Sequence, residues 1–333
     1  MWVTGADGFL GAAACECLGG GGYLVQRVAH RITTLPEHLA AGREVSPARA
    51  SAAPGTTPPI ARELADERLE LAGGQAPPAV IVHLAAAIPT TSEGEASESA
   101  AAGNRRIDDN VFAFAAEVGA GVVFASSGSV YGAASGSVFR EDAPADPRGP
   151  YAEAKLQSEH RGAQTLGDAG LPFTALRISA PYGPRQPTQT VVQLFLRRAL
   201  AGEDLTYHGG GNRMQDFVHV SDVAAAIAAC VAAHAALATA RSEGSDPAAG
   251  VTGATGVFNV ASGRPVTMRQ LAETVAEVVG GDVVVRASGQ PDPQDGQSAN
   301  YAIEAAERAF GWRPATSLKE GLQRWRDTLQ TEA

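Results

Sequence analysis

Thr4-Gly5-Ala6-Asp7-Gly8-Phe9-Leu10-Gly11 stands between a short apolar run, Trp2-Val3, and the helix-like stretch Ala12 to Leu18. Glycines at 5, 8 and 11 permit a tight turn, close approach of the backbone to a pyrophosphate, and close packing of helix on strand. The helix N-terminus then turns free N–H groups towards the anion. In a chain of 38 glycines, three glycines alone carry little. The strand–turn–helix context carries more, and it assigns Gly5, Asp7, Gly8, Phe9, Leu10 and Gly11 to a dinucleotide site. The sequence begins almost directly on this strand, so the strand is expected to be short or to continue into residues upstream.

Working outward, apolar runs at Tyr23 to Val28, Ala79 to Leu84, Gly121 to Ser126 and Phe173 to Ile178 alternate with helical lengths. That alternation predicts an α/β chain, with a doubly wound parallel sheet of the Rossmann type and a smaller C-terminal substrate-binding lobe. Residues 1–179 are expected to form the cofactor domain and 180–333 mainly the lobe, with the chain crossing between them more than once. Residues 43–60, rich in Ser, Ala and Pro, read as a loose excursion, and 240–253 as a second loop.

A dinucleotide site usually carries an acidic residue about 20 positions after the turn, to hold the ribose 2′-hydroxyl. Here the second strand runs into Ala29-His30-Arg31. A cation at that point suits a 2′-phosphate, so NADP is favoured and NAD remains open, with His30 and Arg31 at the cofactor.

The formal charge of −10 gives no support to nucleic acid or an anionic membrane as partner. The three cysteines, Cys15, Cys17 and Cys230, suit a reducing cytoplasm, and a helix would turn Cys15 and Cys17 apart, so no metal is expected. No signal peptide is read at the start, and no apolar run is read as approaching the roughly 20 residues of a membrane span.

Tyr151-Ala152-Glu153-Ala154-Lys155 places a phenol and an ammonium at i and i+4, on one helix face. A neighbouring cation favours the phenolate, so the tyrosine can exchange a proton with a substrate hydroxyl or carbonyl while hydride moves to or from a nicotinamide. Phe124-Ala125-Ser126-Ser127-Gly128-Ser129 runs an apolar strand into a serine cluster at the strand end where such sheets bind ligands.

Together these residues resemble the NAD(P)-dependent epimerase/dehydratase family, the extended short-chain dehydrogenases. The resemblance rests on the glycine turn, His83-Leu84-Ala85-Ala86, Asn104 and Asn110, Ser-Ser-x-x-Val-Tyr-Gly at 126–132, Tyr-x-x-x-Lys at 151–155, Arg177 with Tyr182-Gly183-Pro184, Asp216-Phe217-Val218-His219-Val220-Ser221-Asp222-Val223, and Gly311-Trp312-Arg313-Pro314. It implies that Tyr151 is the acid/base, that Lys155 binds the nicotinamide ribose and tunes Tyr151, and that Ser127 is the catalytic serine. It also implies that Glu63 and Leu64 approach the adenine, and that Leu84, Ala85, Ala86, Asn104 and Ile178 border the cofactor. Ser127, Ser129, Ala180, Arg213 and Gln215 would face the substrate, and the family commonly pairs subunits into dimers.

Three positions depart from the family's sugar-nucleotide enzymes, which hold the diphosphate with an Asn and two Arg. Ala180, Gln215 and Asp292 stand there instead, with Arg213, Arg185 or Arg286 as possible substitutes. Ser127-Gly128-Ser129 also replaces the Thr-Asp-Glu of the 4,6-dehydratases, which argues against elimination of water. The expectation is a ketoreductase or dehydrogenase acting on a secondary alcohol or ketone of a sugar-like or polyhydroxylated compound. The alternative is a nucleotide-sugar 4-epimerase or 4-ketoreductase with relocated phosphate contacts. A non-catalytic dinucleotide sensor is a third reading, disfavoured by the intact Ser127, Tyr151 and Lys155.

Overall fold

The computed structural model describes residues 1–30, 56–62, 64, 69–71, 75–88, 94–132, 138–244 and 254–332. Strands β1 (Trp2–Thr4), β2 (Val25–His30), β3 (Thr56–Arg62), β4 (Val80–His83), β5 (Gly121–Ser127), β7 (Phe173–Ile178) and β12 (Gly256–Val260) form one sheet, in the order β12-β7-β5-β4-β1-β2-β3. The pairs β1–β2, β1–β4, β2–β3 and β4–β5 are parallel. The order reverses at β1, which places the switch point of a doubly wound sheet between the C-terminal ends of β1 and β4. The central strands β4, β5 and β7 are nearly continuous apolar runs because the middle of such a sheet is buried on both faces; Val80 to His83 and Phe173 to Ile178 are buried throughout.

β1 is indeed short. β3 corrects the expectation of a loose excursion over 43–60: from Thr56 onward the chain forms the strand that ends the sheet among the described residues. Pro58 and Pro59 hid it, since proline cannot donate to a ladder and sits in sheets only at edges or bulges. Both conditions are met, because β3 is last in the order and its register with β2 shifts between Gln26 and Val28.

Helices α1 (Phe9–Gly20), α2 (Glu95–Val118), α3 (Pro150–Asp168), α4 (Val191–Leu200), α5 (Val220–Ser242), α6 (Met268–Val279), α7 (Glu304–Phe310) and α8 (Leu318–Glu332) complete the described elements used below. A second correction concerns α5, which is long and apolar enough to cross a membrane by length and composition. Its many alanines make it only moderately apolar residue by residue, which is why the run was not recognised. In the fold, Val223, Ala226, Ile227, Cys230 and Val231 are buried in protein. Asp222 accepts the amides of Ala315 and Thr316, at 3.2 and 3.0 Å.

Two compact units emerge, each built from three chain segments. The first holds residues 1–125, 149–175 and 227–256; the second holds 126–148, 176–226 and 257–333. The first is centred on an aromatic stack, with Phe112 edge-on to both Phe124 and Phe173 at 5.5 Å. The second packs α4, α6 and α8 through Phe195, Leu196, Leu271, Val275, Leu322 and Trp325. It also carries small strand pairs: β8 (Ala180–Tyr182) with β11 (Phe217–His219), β6 (Val138–Phe139) with β15 (Asn300–Tyr301), β9 (Leu205–Tyr207) with β14 (Val285–Ala287), and β10 (Met214–Gln215) with β13 (Val266–Thr267).

Candidate active site

In the first unit, Gly5 leaves β1 at φ +67°, a left-handed conformation suited to glycine. A side chain there would meet Ala85 N at 2.8 Å, so the ends of β1 and β4 touch. At Gly11 a Cβ would lie 2.0 Å from the Gly5 carbonyl oxygen. The turn closes through Gly8 N to Gly5 O at 2.9 Å, and α1 begins with Gly8 as an extended N-cap that has no capping side chain. The first N–H groups of α1 therefore lack the usual side-chain acceptor, which suits a pyrophosphate oxygen. Phe9 and Leu10 are half-buried in the first turn, and exposed Asp7 pairs with Arg27 on β2. The turn fits the dinucleotide expected of it.

Leu84, Ala85 and Ala86 follow β4 as expected, with Ala85 buried. Asn104 does not present a free amide there. Its Oδ1 accepts from Ala87 N at 2.7 Å and its Nδ2 donates to Ala87 O at 2.9 Å, so it fixes the loop after β4. Leu64 is fully buried, and its carbonyl takes Asn110 Nδ2 at 3.0 Å. His30 is the last residue of β2, while Arg31 and Glu63 lie outside the described residues.

Pro150 starts α3 and sets Tyr151 in its first turn, half-buried, with Lys155 one turn on and buried. Lys155 Nζ donates to Ala125 O at 2.8 Å and lies 4.4 Å from the Phe124 ring centroid. Burial lowers its affinity for the proton, and the carboxylates of Asp108 and then Glu159 offset part of that. The ammonium is thus held against the C-terminal end of β5.

The second unit contains a cavity of about 330 Å³. Ser127, Ser129, Ala180, Arg213 and Gln215, all expected at the substrate, line it together. Ile178, expected at the cofactor, lines it too. Ser127 Oγ caps the short helical turn 128–131, accepting from Ser129 N at 3.2 Å and from Ser129 Oγ at 2.9 Å. Arg213 is not a free cation: its Nε lies 3.7 Å from Asp292 Oδ2, and its Nη1 donates to Gln294. Asp292, which stands where the family's sugar-nucleotide enzymes carry an arginine, thus offsets the charge of Arg213.

Sequence reading missed Tyr301, which lines the cavity and is 6% exposed. Its ring lies on Gly128, where a Cβ would meet the phenolic oxygen at 2.5 Å. A two-residue strand offers no periodicity, so nothing in the sequence singled it out. Beneath the cavity, Tyr131 donates to Asn259 Oδ1 at 2.7 Å, with the Arg177 guanidinium 4.7 Å from the Tyr131 ring. Asp216 Oδ1 accepts from Ser262 N at 2.7 Å, and burial raises its carboxyl above the usual range.

Residues 1–242 match the family model described as NAD dependent epimerase/dehydratase family. UDP-glucuronic acid decarboxylase 6 of Arabidopsis thaliana is 29% identical over 220 residues, covering 64% of this chain and 58% of that protein. The chain thus matches over little more than half the length of that curated relative. The solved structure of MoeE5 in complex with UDP-glucuronic acid and NAD superposes with a TM-score of 0.74 at 26% identity, over 100% of this chain and 99% of the other. UDP-N-acetylglucosamine 4-epimerase from Methanobrevibacter ruminantium M1 gives a TM-score of 0.77 at 24% identity, covering 100% and 98%, a likeness of fold.

Proposed function

We propose, from the premise that this chain belongs to the NAD-dependent epimerase/dehydratase family, that it is an enzyme acting on a nucleotide-linked sugar, as a 4-epimerase or 4-ketoreductase. Residues 1–179 would serve mainly the cofactor and 180–333 mainly the substrate. A bound nicotinamide supplies hydride transfer. Tyr151 exchanges the proton of the reacting oxygen, Lys155 supplies the positive charge that favours its phenolate, and Ser127 hydrogen-bonds that oxygen. The observation that carries this reading is Lys155, buried one helical turn from Tyr151 with its ammonium on the Ala125 carbonyl. A dinucleotide sensor has no use for such a pair.

Relatives that act on or bind UDP-sugars favour the nucleotide-linked substrate over the simple polyol or keto sugar expected first. Elimination of water is disfavoured, since neither Gly128 nor Ser129 carries a carboxyl and the Tyr301 ring fills the space beside Gly128. The phosphates would take contacts other than the family's usual ones, because Ala180 and Gln215 are neutral and Arg213 is paired with Asp292.

The test is incubation with NAD(H) or NADP(H) and UDP-glucose, UDP-glucuronic acid, UDP-N-acetylglucosamine or dTDP-glucose, with products followed by NMR. Inversion at the sugar C4, or cofactor-dependent reduction of a 4-keto sugar nucleotide, is the expected result. Turnover of nucleotide-free keto sugars alone would restore the simpler ketoreductase.

A further inference from the structure

The cavity of the second unit is walled by amides and hydroxyls. Gln215, Gln294, Gln297, Ser179 and Ser298 line it beside Ser127. Each can donate to or accept from a sugar hydroxyl without carrying charge. Among the described residues that line it, Arg213 is the one charged side chain.

That cation is engaged on every side by protein. Its Nε stands 3.7 Å from Asp292 Oδ2, its Nη1 donates to Gln294 Oε1, and its Nη2 reaches Met268 Sδ at 3.3 Å. Asp292 is itself anchored, since its Oδ1 accepts from Gln294 N at 2.9 Å. Asp295 ties the two loops together, accepting from Gly210 N at 2.9 Å and from Asn212 N at 3.1 Å, just ahead of Arg213. Met214 N donates to Gln297 O at 2.9 Å, and Ala299 N to Met214 O at 3.1 Å. The segments that carry Arg213 and Asp292 thus form one wall.

Other cations of this unit stand elsewhere. Arg286 pairs with Asp204 at 3.1 Å, and Arg177 and Arg185 are not among the lining residues. A carboxyl group lies behind the lining instead. Ser179 Oγ donates to Asp216 Oδ1 at 3.4 Å, and Asp216 is fully buried with no hydrogen bond at Oδ2.

Nucleotide-linked sugars divide by charge. A hexose presents hydroxyl groups, whereas a hexuronate presents a carboxylate. A carboxylate taken out of water is costly unless a cation meets it, and a hydroxyl is satisfied by amides and serines.

We propose that this cavity selects an uncharged hexose over a hexuronate, and that Asp292 determines the selection by holding the cavity's cation within the protein. The inference rests on the proposed function, because Ser127 at the reacting oxygen is what puts the sugar in this cavity.

The test compares UDP-glucose with UDP-glucuronic acid by calorimetric titration of the cofactor-loaded protein. The two ligands share their nucleotide and differ only at the sugar C6, so the ratio of their dissociation constants isolates the sugar's charge. UDP-glucose is expected to bind at least about tenfold more tightly, the worth of about one hydrogen bond to a charged group. Equal binding, or a preference for the uronate, overturns the proposal. Asp292→Asn keeps an acceptor for Gln294 N and releases the Arg213 charge, so the ratio should narrow by about threefold or more. Asp204→Asn removes the same charge beside Arg286, off the cavity, and should leave the ratio unchanged. An unmoved ratio in folded Asp292→Asn, or an equal shift in Asp204→Asn, overturns the proposal. If Asp292→Asn does not fold, Arg213→Gln decides. That change leaves Asp292 without its cation, so the preference for UDP-glucose should widen, and any other result overturns the proposal. If neither nucleotide sugar binds, the proposed function falls, and methyl glucoside is compared with methyl glucuronide by saturation-transfer NMR. A signal from the glucoside alone supports the charge selection, and any other outcome overturns it.

Discussion

Replacing Tyr151 by phenylalanine removes one oxygen and keeps the ring. Turnover is expected to fall by roughly 10²- to 10⁴-fold, the range of general acid–base groups, with cofactor affinity by fluorescence titration nearly unchanged. Arg31, read as the partner of a 2′-phosphate, predicts tighter binding of NADPH than of NADH, and a narrower gap in Arg31→Ala. Equal affinities in the parent chain would remove that reading. Gly128 makes a different prediction. A methyl group there would press on Tyr301 Oη, so Gly128→Ala should cost about 1–3 kcal/mol by thermal melting. Adding Tyr301→Phe, which deletes the crowded oxygen, should recover part of that loss. Legibility at this scale followed chemistry at strand ends. Ser127, Ala180 and Gln215 were readable because they sit at or beside strand residues with recognisable neighbours. Tyr301 was not, because only packing marks it, and the Asn104 bonds to the Ala87 backbone carry no side-chain signature in sequence.

Helix termini show how far the sequence reaches at the level of elements. α1 begins without a capping side chain, and α6 begins with a full capping box. There Thr267 Oγ1 accepts from Gln270 N at 3.1 Å and Gln270 Oε1 accepts from Thr267 N at 2.8 Å. Thr267→Ala is therefore expected to cost about 0.5–2 kcal/mol. Differential melting checks this, and cofactor binding should be untouched. Strands of the main sheet were legible where Val, Ile and Phe run unbroken, as in β7. β3 was lost to its prolines, and the two- and three-residue strands of the second unit are too short to carry a period.

For the molecule as a whole, pH acts through groups the fold has taken out of water. His234 on α5 is fully buried, its Nε2 2.8 Å from Thr174 Oγ1, and burial lowers it from 6.5 to about 4. Its stabilising contribution is full above the unfolded value and is lost as pH falls from 6.5 towards 4, because the unfolded chain takes the proton first. The loss is on the order of 3 kcal/mol. The melting temperature should decline across that window, and His234→Gln should flatten this part of the decline. The fold class was legible from the alternation of strands and helices, whereas the extent of interleaving between the two units was not, since each is assembled from three segments that no composition boundary marks. That interleaving governs the order of events at the ribosome. β12 neighbours β7 in the main sheet, yet it lies about 80 residues later in the chain. Until it emerges, β7 is a bare template for intermolecular pairing. A nascent chain halted near residue 242, between the two strands, would display that template, so the interval from the synthesis of β7 to that of β12 is the one in which a chaperone would have an unpaired strand to shield.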